Sequence, residues 1–443
     1  MLANETILCL APDPWAGLWR NRHQIMTRLA RRNLVLYVEP RVYLWEALRR
    51  FRAGEWRLAD LRKPWALPPP SPPPSTTGGG QGGGSLWLYH DPYYAPFAGR
   101  LSGGPLTAGL RRRAMRRTLQ ALGAEQPPIL WLLRPYQADQ IGQHGEKLVV
   151  YHVTDEYSGY PDVADPIAFA RAEETLLRRA DLVIVTSPGL LASKGRFNPR
   201  THLVPNAVDY EGFQRVLEAG SWKLEIGSWK LEAGNFQSPT SNLRFLGYSG
   251  ALNEKLDYAL LAAVARARPD WQLLLIGQRD LASQPDKDAA LAGLPNVHWL
   301  GRLPVEQLPA AIGQMDVCLL PYERNAWTAN IDSLKLYEYL AAGRPIVSTD
   351  VPAAHRFGDP PVTPDEALVR IGRTTEEFIA QIAAALAEDD PAAVVWRKAV
   401  AAANTWEHRV AKIEGLLAEA LRARRMLRWN HDVMNPDSLT RPA

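Results

Sequence analysis

A helix that could bind a phosphate group is predicted within residues 325–349. Asp332 or Ser333 could cap its start, because a short side-chain oxygen satisfies N–H groups of the first helical turn. Gly343 would end the helix, and an apolar strand follows directly. The positive end of a helix dipole attracts phosphate, and Glu338, just over one turn in, could accept hydrogen bonds from sugar hydroxyls. A well-capped helix of an ordinary βαβ unit would have the same features.

A second polar cluster ends the apolar run 148–153. His152 and Thr154 should project from one face of this predicted strand, and Asp155 from the other, since strand side chains alternate. Polar side chains at the end of a buried strand make Asp155 and His152 candidate site residues. A single histidine within a strand is also common as a structural residue.

A third candidate is the tryptophan- and arginine-rich loop at residues 12–24. Aromatic rings of the kind that Trp15 carries could stack on a sugar or a lipid-linked compound, and Arg22 could bind a phosphate. His23 lies beside them in the sequence. A tightly packed structural loop would have a similar composition.

The elements that must position these residues follow a repeated pattern. Short apolar runs alternate with longer amphipathic stretches, which predicts βα units and parallel sheets. Two such series predict an α/β protein with two doubly wound, Rossmann-like domains that face a cleft. The predicted strands are 6–11, 34–38, 86–90, 129–133, 148–153, 182–186, 244–248, 272–277, 297–300, 317–321 and 346–349.

Length and composition also favour two domains. The chain has 443 residues, of which 46% are hydrophobic and 22% charged, as in ordinary globular proteins. We predict an N-terminal domain over 1–205, an interdomain linker over 206–243, a C-terminal domain over 244–405, and a helix with a tail over 406–443.

Two segments of unusual composition interrupt this plan. Residues 68–85 run from a proline tract into a glycine tract, which predicts a flexible, exposed insertion. Residues 217–234 contain an imperfect repeat of seven residues with glycine and serine in each unit. We interpret this repeat as an insertion in the linker, and partner binding through Trp222 and Trp229 is the alternative.

Positive charge is concentrated in the first half of the chain. Residues 1–200 contain 26 Lys and Arg against 17 Asp and Glu, while the remainder contains 25 against 30. The stretches 41–63 and 100–117 combine basic and apolar residues, as helices that lie on anionic membranes do. Solvated helix faces are the alternative, and no motif indicates nucleic-acid binding.

Cysteine usage and the N-terminal sequence predict a cytoplasmic protein. Cys9 and Cys318 lie in apolar runs and should be reduced core residues. The N-terminal sequence is not typical of a signal peptide, and no apolar run is long enough for a membrane span. We expect no metal site, because clustered His and Cys ligands are absent and the motif at 286–288 lies in a polar loop.

Several segments, in a consistent order and spacing, resemble one enzyme family. They include YHVTDEYS (151–158), LVPNAVD (203–209), LGYSGALNEKLDYALLAAVARARPDWQLLLIG (246–277) and SLKLYEYLAAGRPIVST (333–349). These segments resemble GT-B glycosyltransferases, in particular the retaining family-4-like enzymes that act in bacterial surface-polysaccharide and teichuronic-acid-type synthesis. The resemblance implies a GT-B fold, a nucleotide-diphosphate sugar as donor, and no cofactor.

The resemblance also implies donor-binding residues in the C-terminal domain. Glu338 would bind the nucleotide ribose, and the helix start at Ser333, Leu334 and Lys335 would bind the diphosphate. Gly250 and Lys255 match a family segment that grips the diphosphate, although Ala251 stands where the family has arginine.

Two further positions follow from the same resemblance. Asn330 stands where the family has a carboxylate near the donor. Asp155 matches the aspartate of a histidine–aspartate pair, with His152 two residues before the expected histidine position, and the resemblance implies a catalytic role for both. Trp15, Arg22 and His23 would lie on the acceptor side.

The implied activity is transfer of a sugar to a saccharide or lipid-linked acceptor, with retention of configuration and without metal. We expect a cytoplasmic protein that can lie on the inner face of the membrane through the basic helices of its N-terminal half. A nucleotide-sugar 2-epimerase of the same architecture is one alternative. A catalytically silent partner subunit is another, because Ala251 and Asn330 replace charged residues.

Overall fold

Two largely parallel sheets, each between layers of helices, form the two halves of the computed structural model. The structure describes residues 2–16, 19–40, 44–54, 66–67, 85–91, 105–160, 163, 165–219, 223–226, 229–232, 243–282, 284–356, 368–388 and 390–434.

The N-terminal sheet has eight strands within the described residues, in the order β3-β4-β2-β1-β5-β6-β7-β8. All neighbours pair in parallel except β3, which is antiparallel to β4. Its strands are β1 Thr6–Leu10, β2 Leu34–Val38, β3 Ala66–Leu67, β4 Ser85–Tyr89, β5 Ile129–Leu132, β6 Leu148–Val153, β7 Leu182–Val185 and β8 Thr201–Leu203. Its helices are α1 Asn21–Leu29, α2 Leu44–Arg52, α3 Pro105–Ala121, α4 Pro166–Arg179 and α5 Pro188–Gly195.

The C-terminal sheet has six parallel strands in the described part of the chain, in the order β13-β12-β11-β14-β15-β16. After the connecting helix α6, Tyr210–Ala219, and the short strands β9 and β10, come β11 Arg244–Ser249, β12 Trp271–Ile276, β13 Val297–Gly301, β14 Val317–Leu320, β15 Ile346–Thr349 and β16 Arg370–Gly372. The helices are α7 Tyr258–Ala267, α8 Pro285–Ala290, α9 Leu308–Gly313, α10 Leu334–Ala341, α11 Pro352–His355, α12 Thr375–Leu386, α13 Pro391–Ala403 and α14 Trp406–Met434.

Burial explains why these sequences form parallel strands. All residues of β1, β5, β6, β12, β14 and β15 are buried, as expected for strands covered by helices on both faces. The predicted fold class of two doubly wound α/β domains is confirmed. Because parallel strands share one carboxyl edge, the loops that follow β1 and β6 lie at one edge of their sheet, and those after β11 and β14 at one edge of theirs.

The last helix, α14, packs on the N-terminal domain although it follows the C-terminal domain in sequence. Trp406, Val410, Ile413, Leu417 and Leu421 recur at helical spacing and join the hydrophobic core that contains β1 and α1. This return of the chain ties the two domains together at one side of the cleft. None of the helices in the described ranges is long and apolar enough to cross a membrane.

Of the two segments of unusual composition, the structure describes part of the repeat at 217–234 and almost none of the insertion at 68–85. The flexible insertion predicted for 68–85 lies outside the described residues, apart from Ser85 at the start of β4. Within the repeat at 217–234, β9 (Lys223–Ile226) and β10 (Trp229–Glu232) pair as an antiparallel ribbon. Two copies of one short sequence therefore form two matching strands.

Candidate active site

A cavity of about 680 Å³ lies between the two domains. Its walls combine the loop before α1, the first residues of α6, the ends of β11 and β13, and the start of α10. Ligands of doubly wound proteins bind at such carboxyl strand ends. The lining includes Ala16, Trp19, Arg20, Gln24, Asp209, Ser249, Gly250, Lys255, Arg302, Leu334, Lys335 and Glu338.

The start of α10 is fixed by two buried polar side chains. The Ser333 hydroxyl lies 2.8 Å from that of Tyr322 and does not cap the helix, although Ser333 occupies the N-cap position. Asp332 accepts hydrogen bonds from the backbone N–H of Asn206 and from the Tyr337 hydroxyl, the latter at 3.0 Å. The predicted side-chain cap is therefore not found in the described structure. The N–H of Leu336 donates to the Ser333 carbonyl at 3.2 Å, whereas Leu334 and Lys335, which line the cavity, receive no side-chain cap from Ser333.

Two lysines of the C-terminal domain line the cavity without a counter-ion. Neither Lys255 nor Lys335 forms an ion pair or a hydrogen bond through its ammonium group within the part of the chain that the structure describes. Burial lowers the pKa of Lys255 to about 7, and the charge of Lys335 contributes. Burial likewise lowers the pKa of Lys335. Two half-buried cations with no carboxylate at ion-pair distance among the described residues indicate a site for an anion.

Glycine is required where β11 ends. Gly250 has a φ of +145°, and a Cβ there would lie 2.6 Å from Nζ of Lys335 and closer still to its Cε. Gly277 has a φ of +147°, and a Cβ there would collide with the carbonyl oxygen of Gly250. Ser249, beside this turn, has a buried hydroxyl oxygen with no hydrogen-bond partner among the described residues. Because Gly250 has no side chain, Lys335 can lie against this turn. Its ammonium group and the Ser249 hydroxyl could there contact a ligand.

Glu338 lies on the cavity wall one turn beyond Leu334 and Lys335. Burial raises the pKa of Glu338 to about 6, and the positive charge of Lys335 opposes this shift. Its carboxylate can accept hydrogen bonds from hydroxyl groups. Among the predicted donor-binding residues, the structure thus brings Gly250, Lys255, Leu334, Lys335 and Glu338 to one cavity.

The N-terminal loop contributes residues other than the predicted ones. Trp15, Arg22 and His23 are buried to at least 95% and lie within the packing of the N-terminal domain. The Arg22 guanidinium donates to the Tyr37 hydroxyl at 2.9 Å and to Asp13 at 2.7 Å. Such paired, buried side chains cannot reach an acceptor, so the predicted acceptor-side role of all three is corrected to support of the loop.

Asp155 lies just beyond the end of β6, in a polar cluster. Its carboxylate accepts a hydrogen bond of 2.9 Å from the Tyr160 hydroxyl. Burial raises the pKa of Asp155, while the hydrogen bond from Tyr160 and the charges of Arg134 and Lys255 oppose the increase. The Tyr160 ring packs against Trp327 of the C-terminal domain, with centroids 4.7 Å apart. Asp155 therefore lies where the two domains meet.

His152 does not share this position. Its side chain is 1% exposed, and its ring meets that of Trp131 edge-on at 5.7 Å. Burial lowers the pKa of His152 to about 4. The Nδ1 atom has no hydrogen-bond partner among the described residues. This is a neutral histidine inside the sheet packing, which corrects its prediction as a catalytic residue.

Asn330 lies at a contact between the domains rather than on the cavity wall. Its side-chain amide donates to the carbonyl of Ala326 at 3.0 Å. A Cβ at Gly189, in the first turn of α5, would collide with Oδ1 of Asn330. The side chain thus packs against the N-terminal backbone, which corrects its prediction as a donor-binding residue.

Trp19, Arg20 and Ser249 are among the cavity residues missed at the sequence level. Trp19 and Arg20 lie in the same segment as the predicted trio, so the composition identified the segment but not the side chains that line the cavity. Ser249 precedes the predicted Gly250, and nothing in its sequence context marks its hydroxyl as unsatisfied.

The C-terminal domain matches a known sequence family. The family model described as glycosyl transferases group 1 matches residues 244–388. TuaH of Bacillus subtilis (strain 168), named for a glycosyltransferase of teichuronic acid biosynthesis, is 28% identical to this chain over 195 residues. That match covers 43% of this chain and 45% of TuaH, so this chain spans less than half the length of its curated relative.

Solved structures are similar over nearly the whole chain. Sucrose-phosphate synthase from Thermosynechococcus elongatus has a TM-score of 0.63 at 16% identity, covering 95% of this chain and 100% of that one. Anabaena HepE, solved in complex with UDP, has a TM-score of 0.58 at 13% identity, covering 94% of this chain and 100% of that one. At such identities the likeness establishes the fold. The predicted resemblance is confirmed: the chain has the GT-B fold, and its residues 244–388 match the group 1 glycosyl transferases.

Proposed function

We propose that this protein is a glycosyltransferase that moves a sugar from a nucleotide-diphosphate donor to a saccharide or lipid-linked acceptor. The observation that carries the proposal is the interdomain cavity in which Lys255 and Lys335 lack a counter-ion, among the described residues, beside the uncapped start of α10. A diphosphate would neutralise both lysines and accept hydrogen bonds from the helix start. TuaH is named for teichuronic acid biosynthesis, which supports a role in cell-surface or exopolysaccharide synthesis.

The arrangement of polar groups suggests how the donor would lie. The diphosphate would contact Lys335, Lys255 and the Ser249 hydroxyl, and the ribose hydroxyls would donate to Glu338. The sugar would then extend towards Asp155, whose negative charge acts on both lysines. Asp155 could stabilise positive charge that develops at the anomeric carbon as the bond to the diphosphate breaks.

The leaving diphosphate gains negative charge in this step. Two lysines and a helix start are suited to stabilise that charge. We propose that the reaction proceeds in this way without metal and with retention of configuration. The two domains would exclude water around the donor and so limit its hydrolysis.

We also propose that the protein works at the cytoplasmic face of a membrane. Arg113, Arg116 and Arg117 of α3 are exposed, and Leu110 on the same side of this helix is 38% exposed. Positive charge beside an apolar side chain suits an anionic lipid surface, at about 1 kcal/mol per basic residue. An acceptor carried on a lipid would be accessible from such a position.

Replacing Glu338 by alanine should weaken donor binding about tenfold or more, since a hydrogen bond to a charged group contributes about 1.5–3 kcal/mol. Isothermal titration of the wild-type protein with UDP-, GDP- and ADP-sugars would identify the donor, and the variant would then be titrated with the same compound. Glu376→Ala is the matched control, because that carboxylate is fully exposed on α12. The proposal fails if no nucleotide sugar binds the wild-type protein.

Donor affinity should fall as the pH rises through about 7, because Lys255 loses its proton there in the free protein. A bound diphosphate favours the protonated lysine, so binding above that pH takes up a proton and weakens by up to about tenfold per pH unit. Titrations of the nucleotide sugar in two buffers of different ionisation enthalpy measure this uptake. Glu338, with its pKa raised to about 6, is already largely ionised in this range.

Lys255→Arg provides the control for this pH dependence, since arginine remains charged throughout. The variant should bind with an affinity that changes little between about pH 6.5 and about pH 8.5. A parallel fall in affinity for the wild type and the variant would show that another group titrates.

A further inference from the structure

One cation on the cavity wall, Arg20, comes from the opposite domain to the two lysines. Arg20 directly precedes α1 of the N-terminal domain, and it lines the cavity together with Lys255 and Lys335. We propose that Arg20 binds the donor diphosphate from the N-terminal side, so that the diphosphate connects the two domains. This inference rests on the proposed glycosyltransferase function.

The charge of Arg20 is poorly neutralised by the protein. Within the described residues its ion-pair partner is Asp13, whose Oδ2 lies 4.0 Å from Nε of Arg20. That same oxygen is bound more closely by Arg22, at 2.7 Å. The Arg20 side chain is 45% exposed and is free to turn towards a ligand in the cavity. A planar guanidinium is well suited to bind phosphate oxygens in pairs.

The backbone of Arg20 is held firmly by the residues around it. Its N–H donates to Nδ1 of His23 at 3.0 Å, and the N–H of His23 donates back to the Arg20 carbonyl at 3.0 Å. Burial lowers the pKa of His23 to about 3, so the ring is neutral and can accept this bond. Trp19 stacks on the same ring, with centroids 4.8 Å apart. These contacts hold the backbone of Arg20 in place, while its guanidinium group stays exposed to solvent.

The positive charges of Arg20, Lys255 and Lys335 repel one another when no anionic ligand is bound. Burial is the main cause of the lowered pKa of Lys255 and of Lys335, and the charge of Arg20 adds to it at both. Asp155 and Glu338 supply two negative charges, and Glu338 is the residue proposed to bind the ribose. A diphosphate carries its charged oxygens on two phosphorus atoms. It could therefore contact cations from both domains at once, which a single phosphate does less well, and it would draw the N-terminal loop towards α10.

Arg20→Gln tests this role when its affinity is measured for matched pairs of nucleotides. Isothermal titration would compare UDP with UMP, GDP with GMP and ADP with AMP. In the pair that the wild-type protein binds, the variant should lose about tenfold in affinity for the diphosphate and little for the monophosphate. Arg31→Gln is the control, since it removes the same charge from the same domain outside the cavity lining. Small-angle scattering should show compaction on diphosphate binding in the wild type and less in Arg20→Gln.

The other outcomes overturn the inference in distinguishable ways. Unchanged diphosphate affinity in Arg20→Gln would refute the role of Arg20 while leaving the proposed function intact. Equal losses for diphosphate and monophosphate would mean that the substitution disturbs the loop instead of a phosphate contact. Failure of the wild-type protein to bind any of the six nucleotides would refute the proposed function, and with it this inference.

Discussion

Replacing Asp155 by asparagine should lower donor turnover by about 100-fold or more, with donor affinity within about threefold of the wild type. Asparagine keeps the shape of the side chain and can still accept the hydrogen bond that Tyr160 donates at 2.9 Å. It removes the negative charge that we propose acts on the anomeric carbon in the transition state. Release of nucleoside diphosphate from the donor, followed without an acceptor, gives a rate that needs no knowledge of the acceptor.

His152→Phe provides the comparison, because His152 is buried against Trp131 and its neutral ring lies within the sheet packing. Turnover by this variant should remain within about threefold of the wild type once its folded fraction is taken into account. Tyr160→Phe should reduce turnover only moderately, since it removes one hydrogen bond to Asp155 and leaves the charge. A large loss in His152→Phe together with a small loss in Asp155→Asn would reverse the roles of the two residues.

The fold could be predicted because its signal is local and repeated. Each of the predicted apolar runs corresponds to a strand, since strands buried on both faces must be almost wholly apolar. The strands of the two main sheets that the sequence pattern did not reveal, β3, β8 and β16, contain only two or three residues and lie at sheet edges. Such short edge strands bury too little surface to leave a pattern.

The C-terminal part of the site was also predictable, because one helix and one strand end carry it. Lys335 and Glu338 are separated by less than one helical turn, so their placement on one wall follows from the helix itself. Gly250 was predicted from the family resemblance, and it follows directly from β11, whose end lies at the carboxyl edge of the sheet. Local geometry alone was sufficient for Glu338 and the start of α10.

The N-terminal part could not be predicted, because tertiary packing decides which side chains face the cavity. In the first turn of α1, Arg22 turns inward to Tyr37 and Asp13, whereas Arg20, two residues earlier in the preceding loop, lines the cavity. The two arginines are equivalent by composition. The role of His152 was mispredicted for the same reason. The alternation of strand side chains gives the face of the sheet from which His152 projects, but not which residues pack against that face.

Gly250→Ala should weaken donor binding about 100-fold while leaving most of the protein folded. The residue has a φ of +145°, a conformation that costs an L residue about 1–3 kcal/mol. Its new Cβ would also occupy the space of the Lys335 side chain, with Nζ only 2.6 Å away. Lys335 can move aside at little cost because its end is flexible, but its ammonium group then leaves the proposed diphosphate site.

Two variants separate these effects. Gly293→Ala places the same side chain at a positive φ of +73° with no atom within 4 Å, so it should show the cost of a positive φ without affecting donor affinity. Lys335→Met removes the ammonium group without backbone strain and should match the affinity loss of Gly250→Ala. Chemical denaturation and titration with the nucleotide sugar measure the two quantities separately. Normal donor affinity in the folded fraction of Gly250→Ala would mean that the position of Lys335 is unimportant for the diphosphate, because the substitution displaces that side chain before it affects any other part of the cavity.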